Sequence, residues 1–197
     1  MRDQHRFNLK AWLLWTAGFL AFPIGGFLAE MLTGRVDNAG SALLGGMVAG
    51  AVIGTGQWLV ARRLLDAQTW IPATALAMGI GLLVGAWAVG YSTSLGELAL
   101  MGAITGIPIG AAQAYLLRDR LPNAWVWGAA MPLLWALGWT VTTAIGVGVD
   151  SQFYVFGASG AITFMALSGV LLDRLRAATS PAAPAPQPTG PPTAIVQ

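Results

Sequence analysis

The sequence predicts an all-α membrane protein with six transmembrane helices, arranged as three parallel two-helix repeats and followed by a disordered C-terminal tail. Three observations predict this fold: an apolar composition, six long stretches without charge, and an internal repeat with a period of 56 residues. Of the 197 residues, 56% are hydrophobic, 9% are charged and 26 are glycines. This composition is typical of a protein that crosses a membrane several times and not of a soluble core.

The six stretches contain no Asp, Glu, Lys or Arg, and each is long enough for the roughly 20 residues that cross ~30 Å of hydrocarbon. The helices predicted from them cover residues 11–32, 39–61, 70–91, 98–117, 124–147 and 153–172. Because lipid offers no hydrogen-bond partner to an open backbone, the glycines in these stretches are expected inside helices and not in loops at membrane depth. The predicted transmembrane domain therefore covers residues 1–176.

The 56-residue period divides this domain into hairpins of about 9–64, 65–120 and 121–176. The first copy contains Gly46, Gly50, Gly54, Gln57 and Arg62, and the second contains Gly102, Gly106, Gly110, Gln113 and Arg118. The third copy keeps Arg174 but has Gly169 at the glutamine position. Residues four apart lie on one helix face, so each set of three glycines forms a smooth stripe, here called a glycine ladder. Such a stripe lets another helix approach closely.

The ladders have one structural interpretation and two functional ones. They hold the bundle together, or they form the seam of a homo-oligomer, or they provide a moving contact in a transporter. In each case we expect Gly50 and Gly106 to reject a large side chain, and we expect a lipid-facing residue such as Ala49 to accept one.

Gln57 and Gln113 lie on the ladder face, three residues after the last ladder glycine. A buried amide needs hydrogen-bond partners, and a neighbouring helix can supply them for about 1 kcal/mol. The first interpretation is that both residues join helices; the alternative is that they line a polar pathway on the cytoplasmic side. Gly169 in the third copy argues against a three-fold polar site.

Glu30 is the carboxylate that lies nearest the interior of a predicted span, and acids inside a membrane are candidates for function. It follows Lys10 by 20 residues, which is ~30 Å of helix and about the full hydrocarbon thickness. We therefore expect it to reach the outer interface near Arg35, with a proton or cation role as the alternative.

The cations predict the orientation. Nine of the ten Lys and Arg residues precede the first helix or follow an even-numbered helix, and Arg35 is the exception. Because cations are retained on the cytoplasmic side of short loops, both termini are predicted to be cytoplasmic. No basic patch exceeds a few residues, so nucleic acid is not a predicted partner.

The tryptophans predict depth. Six are expected at the cytoplasmic interface, where amphipathic rings concentrate: Trp12, Trp15, Trp58, Trp70, Trp125 and Trp127. The other three are expected to lie deeper and to pack between helices: Trp87, Trp135 and Trp139.

Residues 177–197 are rich in Pro and Ala, with six of the 11 prolines within 181–192. This composition predicts a disordered tail, and a docking motif at its PxxP sequences is the alternative.

The chain has no cysteine, and its single histidine, His5, precedes the first span. These absences predict no disulfide, no metal site and no cofactor in the membrane, and no nucleophile elbow or phosphate loop is present. We therefore predict that the chain is not an enzyme.

The segment Gly-x3-Gly-x2-Gln-Trp-Leu-Val-x-Arg-Arg from Gly50 to Arg63, with Trp12 and Trp15 upstream, resembles a family of small, repeat-containing, multi-pass bacterial membrane proteins without an assigned function. The resemblance covers residues of about 9–120, and the third hairpin departs from it at Gly169. It implies a helical protein of the bacterial cytoplasmic membrane and transfers no active-site residue.

Two functions from different classes remain. The favoured one is a non-enzymatic integral membrane protein, a scaffold or subunit whose glycine-ladder faces pack with a second copy or another membrane protein. The alternative is a small-solute transporter or channel built from three hairpins around an axis normal to the membrane. Inverted repeats with broken helices are the usual sign of a transporter, whereas these hairpins share one orientation and contain few polar groups.

Overall fold

The computed structural model describes residues 7–146 and 154–178, and this part of the chain is helical, with no β-strand. The predicted all-α class is confirmed. Six helices are long and apolar enough to cross a membrane: α1 Leu9–Thr33, α2 Ala39–Ala61, α3 Ala67–Ala88, α4 Leu95–Leu117, α5 Ala124–Ala144 and α6 Ala158–Ala177. The predictions for His5 and for most of the 177–197 tail lie outside the described residues.

Capping residues explain why α3 and α4 begin three residues before their predicted starts. The side chain of Asp66 accepts a hydrogen bond from the backbone N–H of Thr69 at 3.1 Å. The hydroxyl of Ser94 accepts one from the backbone N–H of Glu97. Each cap satisfies a donor in the first turn that has no partner within the helix. A charged residue therefore stands at the start of each helix: Asp66 is the N-cap of α3, and Glu97 lies in the first turn of α4.

Backbone conformation explains two other differences at helix ends. α3 ends before Gly90 and Tyr91, both of which have a φ of 59°, and α5 ends before Gly146, with a φ of 78°. A left-handed residue cannot continue a right-handed helix. α6 is displaced toward the C-terminus relative to its prediction, because its last turn accommodates Arg174 and Arg176. Cations there interact favourably with the negative end of the helix dipole.

The helices form a closed ring. Each helix contacts the next one along the chain, and α6 contacts α1. Large side chains occupy the centre of the ring. Phe22 of α1 stacks on Phe156 with a centroid distance of 5.2 Å, and Phe164 of α6 and Trp135 of α5 complete this aromatic cluster. The ring therefore encloses a packed core of the kind found in helix bundles.

The structure contradicts one tryptophan prediction and adds a feature to three others. Trp15, Trp70 and Trp127, which are predicted to lie near the cytoplasmic interface, are each at most 3% exposed and are therefore buried between helices. Their indole N–H groups find hydrogen-bond partners inside the bundle, so burial leaves no unpaired donor. Trp87 was expected to pack between helices, but it is 73% exposed near the end of α3.

Several cations meet at one end of the bundle, here called the cationic end. Lys10 at the start of α1, Arg62 after α2 and Arg176 at the end of α6 line the same depression. Arg120, after α4, donates a hydrogen bond to the carbonyl of Leu64. The ends of the three even-numbered helices therefore lie together.

We expect the cationic end to face the cytoplasm. A topology reporter fused after Arg63 or Arg120 should report a cytoplasmic position, and one fused at Asn38 should report an external position, because short basic loops are retained inside. The measurement is paired reporter activity in intact cells, one reporter active inside and the other outside. An external signal from the loop between α2 and α3 would contradict the predicted orientation. The matching site at Ser151 lies outside the described residues.

Candidate functional site

The first glycine ladder lies against the backbone of α3. A Cβ atom added at Gly46 would lie 2.9 Å from the Cα of Gly79, and one added at Gly50 would lie 2.8 Å from the Cβ of Met78. At Gly54 the nearest atom would be the Cβ of Thr74, at 3.2 Å. The distances at Gly46 and Gly50 are shorter than those of real Cβ atoms, and the distance at Gly54 is tighter than that of most of them, so glycine permits this close spacing between α2 and α3.

The second glycine ladder lies against α5 in the same way. An added Cβ would be 2.8 Å from the carbonyl oxygen of Trp135 at Gly102 and 2.6 Å from the Cα of Pro132 at Gly106. Gly110 lies directly against Gly128. Both ladders therefore join one predicted hairpin to the next, and other helices of the same chain cover both ladder faces.

The third junction, between α6 and α1, is built differently. A Cβ at Gly169 would meet the indole rings of Trp15 and Trp12, at 2.9 and 3.0 Å. Two of the positions that correspond to ladder glycines hold Ile162 and Ala166. Side chains rather than bare backbone therefore mediate this contact.

The two glutamines form one hydrogen-bonded network with two indoles and a hydroxyl. The Oε1 of Gln57 accepts from Trp70 Nε1 at 3.2 Å and from Gln113 Nε2 at 3.3 Å. The Nε2 of Gln113 also donates to Thr74 Oγ1 at 3.3 Å, and its Oε1 accepts from Trp127 Nε1 at 3.0 Å. The network thereby connects α2, α3, α4 and α5.

The junction of α6 with α1 also contains a hydrogen bond from a buried indole N–H to a polar side chain. Trp15 Nε1 donates to the hydroxyl of Ser168 at 3.0 Å, and Ser168 in turn donates to the carbonyl of Met165 at 3.2 Å. Trp12 Nε1 donates to the carbonyl of Ala166 at 2.9 Å. Each even-numbered helix thus carries a buried side chain that accepts an indole N–H from the odd-numbered helix beside it.

Sequence reasoning identified the glutamines but missed their indole partners. The three tryptophans lie at Trp15, Trp70 and Trp127, so they are 55 and 57 residues apart rather than 56. An exact-period comparison does not align them. A search that allowed a shift of one residue would have found one tryptophan near the start of each hairpin.

Burial determines what this network can do. Gln57 is 2% exposed and Gln113 is 1% exposed. Four grooves on the described part of the chain are lined by other residues. All five members are neutral near pH 7, and their donors and acceptors face one another. The arrangement therefore provides hydrogen bonds between helices in a water-poor interior.

Glu30 lies four residues before Gly34, at the end of the bundle opposite the cationic end. It borders a cleft of about 170 Å³ with Phe27 of α1 and with Val155. Close to this cleft, the phenol of Tyr154 is 2.5 Å from the hydroxyl of Thr33 and donates to the carbonyl of Gly34 at 2.8 Å. Burial raises the pKa of Tyr154 above its ordinary value of 10.0. These contacts fasten the end of α1 to the segment before α6.

Among residues 7–146 and 154–178, no group of three or more His, Cys, Asp or Glu side chains is placed to hold a metal ion. The ladders and the network offer close packing and neutral hydrogen bonds. Comparison of the chain with known protein families, curated proteins and solved structures found no match.

Proposed function

We propose that this chain is a non-enzymatic integral membrane protein that serves as a scaffold or subunit of a larger assembly in the bacterial cytoplasmic membrane. The observation that carries the proposal is that the polar side chains deep in the bundle bond to one another. Gln57 and Gln113 share a hydrogen bond and take three further partners from α3 and α5. A solute pathway needs polar groups that face water, and these face protein.

The packing of the glycine ladders modifies the proposal. Gly50 lies against α3 and Gly106 lies against α5, so the ladder faces support the chain's own fold. A partner would therefore contact the outer surface of the ring and not the ladders. This surface carries exposed apolar residues on several helices, such as Leu44, Leu76 and Leu133, and it contacts lipid wherever no partner covers it.

The test is the mass of the protein after gentle extraction. The full chain, cross-linked in the membrane and then solubilised in a mild detergent, is expected to elute with a mass greater than that of one chain plus its detergent. The measurement is size-exclusion chromatography with light scattering, and an unrelated six-helix membrane protein at the same expression level serves as the control. A lone monomer both with and without cross-linking would contradict the scaffold proposal.

A further inference from the structure

The outer surface has a groove between α1 and α2 with a volume of about 460 Å³. Its floor is made of small residues that include Gly18, Ala21 and Gly56. The exposed side chains of Leu20 and Leu59 stand on either side of it. The lining is almost entirely apolar, so the groove presents a surface suited to hydrocarbon.

The small residues explain why the groove exists. A Cβ at Gly56 would lie 2.5 Å from the Cβ of Ala21, so the two helices approach closely at this point. Residues Gly18–Leu20 of α1 form a 3₁₀ turn within this segment. Close approach without side-chain bulk leaves a depression flanked by the larger residues.

The groove leads into a second depression at the cationic end. This pocket has a volume of about 590 Å³, and it is lined by Lys10, Arg62, Arg63 and Arg176. Leu59 and Val60 border both depressions, so the two are continuous. One elongated site therefore has an apolar part along the helices and a cationic part at their end.

The positive charge of this pocket comes from three particular side chains. Asp173 lies near Arg176 on the same helix, so the net positive charge comes from Lys10, Arg62 and Arg63. Within residues 7–146 and 154–178, the side chains of these three residues make no hydrogen bond or ion pair. No side chain in this part of the chain therefore competes with an anion for their cationic groups.

The second hairpin differs at the corresponding positions. Asp66 occupies the position 56 residues after Lys10. Arg118 lies 3.8 Å over the ring of Tyr115 and 3.5 Å from Asp119. Arg120 donates to the carbonyl of Leu64. The cations of that hairpin are therefore engaged with the protein, whereas those of the first hairpin line an open pocket.

We propose that this combined site binds one anionic phospholipid. The lipid phosphate lies among Lys10, Arg62 and Arg63, and one acyl chain lies in the groove between α1 and α2. Basic pockets between membrane helices recognise anionic headgroups, and the apolar groove accounts for the chain. A free phosphate would leave the groove unfilled, and a zwitterionic headgroup would bring its own cation into the pocket.

Native mass spectrometry of the full chain in detergent tests the proposal, with phosphatidylglycerol, phosphatidylcholine and glycerol phosphate as the three probes. Phosphatidylglycerol is expected to bind at one site and more tightly than phosphatidylcholine. The double substitution Arg62→Gln and Arg63→Gln should weaken its binding about 30-fold, from roughly fivefold for each cation lost near a membrane surface. Arg118→Gln with Arg174→Gln removes the same charge outside the pocket and should change binding less than about twofold.

A second pair of variants tests the groove. Ala51→Phe fills it and should reduce retention of phosphatidylglycerol, whereas Ala111→Phe, at an exposed position of α4, should not. If the double arginine variant fails to fold, Lys10→Gln at the exposed start of α1 takes its place, with an expected loss of about fivefold. Equal retention of both lipids, or no difference between the pocket variants and their controls, would overturn the proposal. Glycerol phosphate binding as tightly as the lipid would also overturn it in favour of a free phosphate site.

Discussion

Replacing Gly106 with leucine is expected to lower the free energy of unfolding by at least ~1–3 kcal/mol, the typical cost of overpacking a well-packed core. An added Cβ would lie 2.6 Å from the Cα of Pro132 and 2.7 Å from the carbonyl oxygen of Met131. Both are backbone atoms, so no rotamer change relieves the clash and α4 must separate from α5. The measurement is thermal unfolding in detergent, followed by the fluorescence of the buried tryptophans.

Gly50→Leu should have a similar effect, because its added Cβ would lie 2.9 Å from the Cα of Ala75 in α3. Ala49 is not a suitable control. The sequence predicts that Ala49 faces lipid, but it is fully buried and its backbone lies against Gly25. The matched control is Ala111→Leu, since Ala111 is exposed on α4 next to Gly110. Equal stability of the ladder variants and this control would show that the ladders do not determine packing.

The sequence predicts the helices well for a physical reason. Hydrocarbon thickness fixes their length, and the cost of an unpaired backbone group excludes other structures, so uncharged stretches identify all six. Their ends are less predictable. In the sequence, a carboxylate such as Asp66 indicates the end of a membrane span. In the structure it is the N-cap of α3, and its side chain accepts a hydrogen bond from the backbone N–H of Thr69.

The faces of the helices are harder to predict than the helices themselves. In a membrane, both the lipid-facing and the core-facing sides of a helix are apolar, so the periodicity that orients a helix in a soluble protein is nearly absent. This explains the errors at Ala49 and Trp87. The glycine ladders are informative because small size distinguishes a packing face even where polarity does not.

Which helix each face packs against is still harder to predict from the sequence. The repeat relates Gly50 to Gly106, but it does not say whether a ladder packs within its own hairpin or against the next one. The described structure has α2 against α3 and α4 against α5. Closure of the ring determines these neighbours, and closure is a property of the whole bundle.

Removing one glutamine should destabilise the protein by an amount that depends on how many side chains lose their hydrogen-bond partner. In Gln113→Leu, the indole N–H of Trp127 loses its acceptor. Thr74 and Gln57 lose the amide group that donates to them. Gln57→Leu removes the acceptor shared by Trp70 and Gln113. A buried polar group without a partner costs about 1–3 kcal/mol, so both variants should unfold at lower temperature, and Gln113→Leu should lose more.

The double variant is expected to lose less than the sum of the two, by up to ~1 kcal/mol, because both single variants break the same bond between the glutamines. Gln68→Leu is the control, since Gln68 is exposed at the start of α3. Strict additivity of the two losses would contradict the shared bond.

The same positions separate a scaffold from a channel, because the chain contains no cysteine of its own. Gln57→Cys and Gln113→Cys should react slowly with a membrane-impermeant thiol reagent added from the cytoplasmic side, since both positions are buried between helices. Gln68→Cys should react quickly and establishes that the reagent reaches the cationic end. Labelling of positions 57 and 113 as fast as position 68 would mean that water enters the bundle. In that case the glutamines would line a vestibule, and a transport function would replace the scaffold proposal.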